Sequence, residues 1–117
     1  MRESRGVGTE AAMDKQACVY ILASDKNGTL YTGVTSNLLK RIWQHKQHTI
    51  DGFTKRYRVD MLVWFEFHET MESAIRREKA IKKWNRSWKI GVIEEKNPRW
   101  NDLYYEFLTS GFPPARE

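Results

Sequence analysis

A single cysteine, Cys18, occurs in the 117 residues. One thiol cannot close a bridge within its own chain, and no Cys/His cluster with zinc-ligand spacing accompanies it. A disulfide scaffold and a zinc finger are therefore both excluded, and a reducing, cytoplasmic setting is expected. No apolar run approaches the length of a membrane span, and the N-terminus lacks the apolar stretch of a signal peptide, so no membrane partner is expected. Acidic residues are the scarcer charge, 15 against 20 Lys and Arg, which leaves a net charge of +5. That balance favours a polyanionic partner, nucleic acid foremost, although basic surfaces also serve solubility alone. Hydrophobic residues at 40% and aromatics at 13% exclude wholesale disorder. The length suits one small domain with a modest core, and no internal repeat or low-complexity segment is visible.

The strongest local pattern runs from Cys18 to Gly33. Cys18-Val19-Tyr20-Ile21-Leu22-Ala23 and Leu30-Tyr31-Thr32-Gly33-Val34 are apolar, β-branched or aromatic, as strands are. The polar stretch between them holds Asn27-Gly28, a pair that tolerates the positive φ of a tight turn. The expectation is a β-hairpin with Tyr31 and Gly33 on one face. The missing side chain at Gly33 is expected to leave room beside the Tyr31 phenol for an anionic group.

Ser36 is a candidate cap for a helix to about His48, with Leu38, Leu39, Ile42 and Trp43 as its apolar side. Arg41 and His45 then stand one turn apart on the same face. Thr49 to Arg58 reads as a loop in which Lys55, Arg56 and Arg58 interleave with Phe53 and Tyr57. Such a mixture grips phosphates and stacks on bases, or is simply a solvated loop with two anchoring aromatics. Met61-Leu62-Val63-Trp64-Phe65 is continuously apolar, which predicts a third strand, from Val59 to His68, covered on both faces and central in the sheet. Thr70 caps a predicted helix from Met71 to Trp84 with Ala74, Ile75 and Ile81 buried. Glu78 falls on that stripe, where a carboxylate needs a cation or donors. From Arg76 to Lys89 the chain has seven basic residues, among them Lys79, Lys82 and Lys83, and Glu78 as its one acid. Ser87 is a candidate cap for a helix through Ile93, Asn97-Pro98 a stop, and Asp102 a cap for a last short helix. Trp84 and Trp88, four apart, are expected in the core or in packing along a helix. Residues 1–16 and 110–117 are expected to be tails around a domain spanning 17–109.

The element order is hairpin, helix, strand, helix, then short helices. It predicts an α+β fold with a small three-stranded antiparallel sheet flanked by helices. Val19-Tyr20 and Tyr31-Thr32-Gly33 resemble the two signature tripeptides of the GIY-YIG nucleases, with Cys18 in place of the first glycine and Thr32 in place of the usual isoleucine. The resemblance extends from Cys18 to about Trp100 and implies the same sheet and flanking helices. It places Arg41 at the family's arginine, His45 where members carry tyrosine or histidine, Glu78 at the single metal-binding glutamate, and Asn85 at an asparagine near the site. The chain is most similar to the small stand-alone endonucleases of the family. Some branches carry a lysine after the second glycine; here Val34 stands there, so a positive group beside Tyr31 is missing unless Lys40 or Lys55 supplies it.

Phosphodiester hydrolysis needs an activated water, neutralisation of transition-state charge and help for the leaving oxygen. Glu78 is suited to hold one hard cation, Mg²⁺ or Mn²⁺, with waters completing its shell. Arg41 offers a planar fork to the phosphate. Tyr31 is the candidate proton acceptor, with Tyr20 and His45 orienting or relaying. Each has a plainer role open to it: Tyr20 as a packed strand aromatic, Tyr31 as a surface strand residue, Arg41 and Glu78 as ion-pair partners (Glu78 with Lys82), and His45 as a capping or stacking ring. Lys55, Arg56, Arg76, Lys79, Lys82, Lys83 and Asn85 are the candidate DNA contacts. The expectation is a metal-dependent DNA endonuclease, selective for structure rather than sequence. The alternatives are a non-catalytic nucleic-acid-binding module of the same fold and a protein-interaction domain with a basic face.

Overall fold

The computed structural model describes residues 16–49 and 52–110. The expected tails at 1–16 and 110–117 therefore lie, but for Gln16 and Ser110, outside the described residues. Three strands form one antiparallel sheet: β1 (Ala17–Ala23), β2 (Leu30–Thr35) and β3 (Met61–His68), in the order β2-β1-β3. Five helices accompany them among the described residues: α1 (Leu38–Lys46), α2 (Phe53–Tyr57), α3 (Met71–Lys82), α4 (Arg86–Lys96) and α5 (Leu103–Ser110). The fold is α+β, as expected.

The hairpin loop closes with Gly28 N–H donating to Asp25 O and Ser24 N–H to Thr29 O. Asn27 takes the left-handed conformation at φ 57°. Gly28 is needed for a different reason: a Cβ there would press on Ser24 Oγ and stand 2.9 Å from the backbone nitrogen of Asp25. The hairpin register pairs Tyr20 with Gly33 and Leu22 with Tyr31. Partners opposite one another share a face, so Tyr20, Tyr31 and Gly33 lie on the same side of the sheet.

The central strand is β1, not β3 as the apolar run suggested. All seven residues of β1 are buried, because it has a neighbour on each edge and a helical layer on each face. Its alternate residues Val19 and Ile21 pack with Ala74 and Ile81 of α3 and Ile93 of α4. Cys18, Tyr20 and Leu22 pack with Leu38 and Ile42 of α1 and Tyr104 of α5. β3 is an edge strand that is nonetheless covered on both faces, which explains its composition. A bulge carries Ile21 opposite Trp64 and Leu22 opposite Leu62, leaving Val63 as the extra residue. Val63 and Trp64 consequently both enter the core shared with α3. Asn97, the residue after α4, donates from Nδ2 to the Val63 carbonyl at 3.0 Å and so satisfies the buried bulge.

Helix starts differ from the sequence reading by a residue or two. Asn37 rather than Ser36 caps α1, accepting from Lys40 N. Asn85 rather than Ser87 caps α4, accepting from Trp88 N. Asparagine and serine cap almost equally well, so neighbouring candidates are not separable by type. Thr70 caps α3 as expected. Asp102 accepts from Tyr104 N at the start of α5, and also from Leu62 N and Lys46 Nζ. The segment 53–57, expected as loop, is a short helix closed by Arg58 in the left-handed conformation. Ile75 was expected inside but is exposed: Ala74, Glu78 and Ile81 alone form the buried stripe of α3. Of the two alternatives for Trp88 the second holds: it is exposed and meets Trp84 edge-to-face.

Candidate active site

Three side chains meet on the face of the sheet covered by α1. Tyr20 is 2% exposed, and its hydroxyl lies 3.1 Å from Nε2 of His45, which is 4% exposed. The other ring nitrogen of His45, Nδ1, lies 3.0 Å from Oγ1 of the buried Thr54. Tyr31 stands at the rim of this group, half-buried, with its ring centroid 6.4 Å from that of Tyr20 and 5.7 Å from that of His45. Phe53 lies along the outer side of Tyr31, 25° from parallel, and Tyr57 packs against Phe53.

Gly33 does not leave an empty space beside Tyr31. A Cβ there would fall 2.5 Å from Cζ and from the hydroxyl of Tyr20. The Tyr20 ring lies across the glycine backbone, so the absent side chain seats one phenol and not an incoming anion. Position 34 also differs from expectation. Val34 pairs with Val19 and packs into the core on the opposite face from Tyr31. A lysine at that position would point away from the Tyr31 face.

The electrostatics follow from this burial. The Tyr20 pKa is raised, first by burial, then by the neighbouring Tyr31 phenol and less by Glu78, while Arg41 opposes the shift. His45 is pushed down to about 4, by burial and then by the like charge of Arg41. At neutral pH the site therefore holds a protonated Tyr20 phenol and a neutral imidazole, with the Arg41 cation near both. Cys18, on the same strand, is pushed up to about 12 by burial, the state of an inert structural thiol.

Glu78 comes from the other helical layer. It is buried on α3 between Ala74 and Ile81, and α3 covers the other face of the sheet. Its carboxylate nevertheless acts on the Tyr20 phenol. Its Oε2 is 2.5 Å from Nζ of Lys82, whose side chain is half exposed. Among the described residues no group of three or more His, Cys, Asp or Glu side chains could enclose a metal ion. One buried carboxylate with a displaceable cationic partner fits a hard ion that keeps most of its waters, and does not fit an all-protein zinc cage.

The candidate DNA contacts fall into two sets. Lys55 and Arg56 are exposed on α2, the same short helix that supplies Phe53 and Thr54; Arg56 sits over the Tyr57 ring. Arg76, Lys79, Lys82 and Lys83 are exposed on and just after α3. Arg76 also pairs loosely with Glu72 at 3.7 Å, both exposed. Asn85 is exposed and spends its side-chain oxygen on the α4 cap. Thr54 is the residue that sequence reasoning missed. A lone threonine in an apparent loop carries no periodic signal, and its contact with His45 appears only once α2 folds back onto α1.

Residues 16–91 match the family model of the GIY-YIG catalytic domain. A UPF0213 protein of Clostridium perfringens is 42% identical over 79 residues, covering 68% of this chain and 84% of its own length. A UPF0213 protein of Staphylococcus saprophyticus is 37% identical over 83 residues, covering 71% and 99%. The solution NMR structure of a UPF0213 protein from Bacillus halodurans is 26% identical, with a TM-score of 0.48, over 80% of this chain and 97% of that one. The chain belongs to the GIY-YIG nuclease family, with close relatives among its small stand-alone members named UPF0213.

Proposed function

We propose that this protein is a metal-dependent endonuclease that hydrolyses DNA phosphodiester bonds and selects DNA by structure more than by sequence. The observation that supports this reading is the packing of Tyr20, Tyr31 and His45 into one cluster within the field of Arg41. Phosphate hydrolysis asks for a proton acceptor, fixed positive charge and a route for the proton in one place. Tyr31, the outermost of the three, meets the attacking water. Tyr20 and His45 behind it hold the hydrogen-bond geometry. Arg41 stabilises the charge that gathers on the phosphate. Glu78 would hold one divalent cation, Mg²⁺ or Mn²⁺, which when bound supplies positive charge to the phosphate and the departing oxygen. Lys82 must first release that carboxylate, and its half-exposed side chain leaves it free to turn toward a DNA phosphate. Lys55, Arg56, Arg76, Lys79, Lys83 and Asn85 are assigned to the DNA backbone. Backbone contacts position a duplex without reading its bases, which is why shape should dominate. A cytoplasmic site of action accords with the buried free thiol of Cys18.

One observation favours a second reading, a nucleic-acid-binding module without turnover. The Lys82 ammonium already occupies the carboxylate on which metal binding depends. The two readings separate in one experiment. The protein is incubated with supercoiled, linear, branched and single-stranded DNA, with Mg²⁺, with Mn²⁺ and with chelator. New ends that require the metal and depend on DNA form support the endonuclease. Binding without new ends under every condition supports the module.

A further inference from the structure

We infer that Thr54 is a positioning residue for this site: its hydroxyl oxygen accepts a hydrogen bond from Nδ1–H of His45, so the ring offers a lone pair at Nε2 to Tyr20. The inference rests on the endonuclease reading for its role in catalysis, but on geometry alone for the hydrogen-bond chain.

A neutral imidazole has one donor and one acceptor nitrogen. Here both nitrogens face hydroxyls at bonding distance, Tyr20 at 3.1 Å and Thr54 at 3.0 Å, and all three residues are buried. Water is therefore a poor substitute for either partner. Of the two hydroxyls the phenol is the stronger acid and so the better donor, while the alcohol oxygen is the better acceptor. The chain then runs one way, from Tyr20 O–H to Nε2 and from Nδ1–H to Thr54 Oγ1. With its proton turned inward, the Tyr20 oxygen keeps its lone pairs for the side facing Tyr31. It meets the reaction as an acceptor that orients a donor there. Without the threonine hydroxyl, Nδ1–H would be an orphaned buried donor, a rare and costly state. The imidazole would then favour its other tautomer, donate from Nε2 to Tyr20, and turn the phenol proton outward. Thr54 also sits between Phe53, which lies along Tyr31, and Lys55 on the same short helix. The hydrogen bond thus fixes α2 against the site as well as setting the tautomer.

The test compares wild type with Thr54→Val, which keeps the shape, and Thr54→Ser, which keeps the hydroxyl. Imidazole ¹⁵N resonances of His45 report the tautomer directly, with no substrate present. Wild type and Thr54→Ser should show the proton on Nδ1, and Thr54→Val should shift it toward Nε2. On DNA, Thr54→Val should lower kcat by up to about 100-fold, the scale of a misplaced catalytic group. KM should change less than kcat: Thr54 is buried and touches no substrate, and reaches binding only through the seating of Lys55 and Arg56 on the same helix. A wild-type spectrum with the proton on Nε2 overturns the inference without any variant having to fold. So does a Thr54→Val protein that keeps the wild-type tautomer. If the tautomer behaves as stated but wild type cuts no DNA, the hydrogen-bond chain stands and the endonuclease reading falls. If wild type cuts and Thr54→Val cuts equally well, the positioning role falls and the endonuclease reading stands.

Discussion

Lowering the pH should weaken this fold through one residue. His45 is held at a pKa of about 4, against 6.5 for the ordinary side chain. Between those values the unfolded chain binds a proton that the folded chain refuses. A folded pKa below the unfolded one means that the contribution is present above about pH 6.5 and is lost as the pH falls toward 4. At about 1.4 kcal/mol per pH unit, the fall from 6.5 to about 4 is worth roughly 3 kcal/mol. A domain of this kind has only about 5–15 kcal/mol in total, so the loss is readily measured. His45→Gln removes the titration and keeps a hydrogen-bonding side chain. Urea unfolding of both proteins is followed from about pH 7 to about pH 4.5, and the difference in stability is taken at each pH. Every group common to the two proteins, Arg41 included, cancels in that difference. Wild type should lose about 2–3 kcal/mol relative to the variant across the range. A difference that stays flat with pH would refute the reasoning, because His45 would then titrate alike in both states.

Glu78→Ala should abolish metal-dependent cleavage while leaving DNA binding intact or tighter, since it removes a negative charge from a basic region; cleavage and gel-shift titrations on one preparation check both. Tyr31→Phe should cost about 10²–10⁴ in cleavage rate at unchanged affinity. Equal rates would mean that the water is activated elsewhere. Lys55→Ala and Lys83→Ala should each flatten the salt dependence of DNA binding by about one unit of log–log slope. Unchanged slopes would mark those lysines as solvated bystanders.

The hairpin was legible from its apolar, β-branched and aromatic arms and the Asn27-Gly28 turn between them, and helices α1 and α3 from the apolar side that each buries. The sheet order was not. The run Met61–Phe65 records how many faces of β3 are covered, and says nothing of how many edges are paired, so an edge strand between two helical layers looks central. For Trp88 the spacing from Trp84 left core and helix packing open, and the structure gives an edge-to-face ring contact without burial. Tyr20, Tyr31, Arg41, His45 and Glu78 were recognisable because their types and order matched a known signature. The details that govern them were not. The seat of Tyr20 over Gly33, the contact of His45 with Thr54 and the placement of Glu78 on the opposite helical layer all depend on contacts between separate elements.

The seat of Tyr20 over Gly33 couples two positions that stand thirteen places apart. Neither is free to drift by itself. A methyl at 33 is intolerable while a phenol lies at 20, and shortening the side chain at 20 would open a hole over the bare backbone at 33. Their substitutions should therefore be epistatic: Gly33→Ala should be harmful in the wild-type background and tolerated once Tyr20 has become a small residue. Such a double variant would fold without the phenol that contacts His45. The two halves of the signature are thus joined in one lock between adjacent strands, and a chain that gives up the phenol at 20 is released from keeping the glycine at 33.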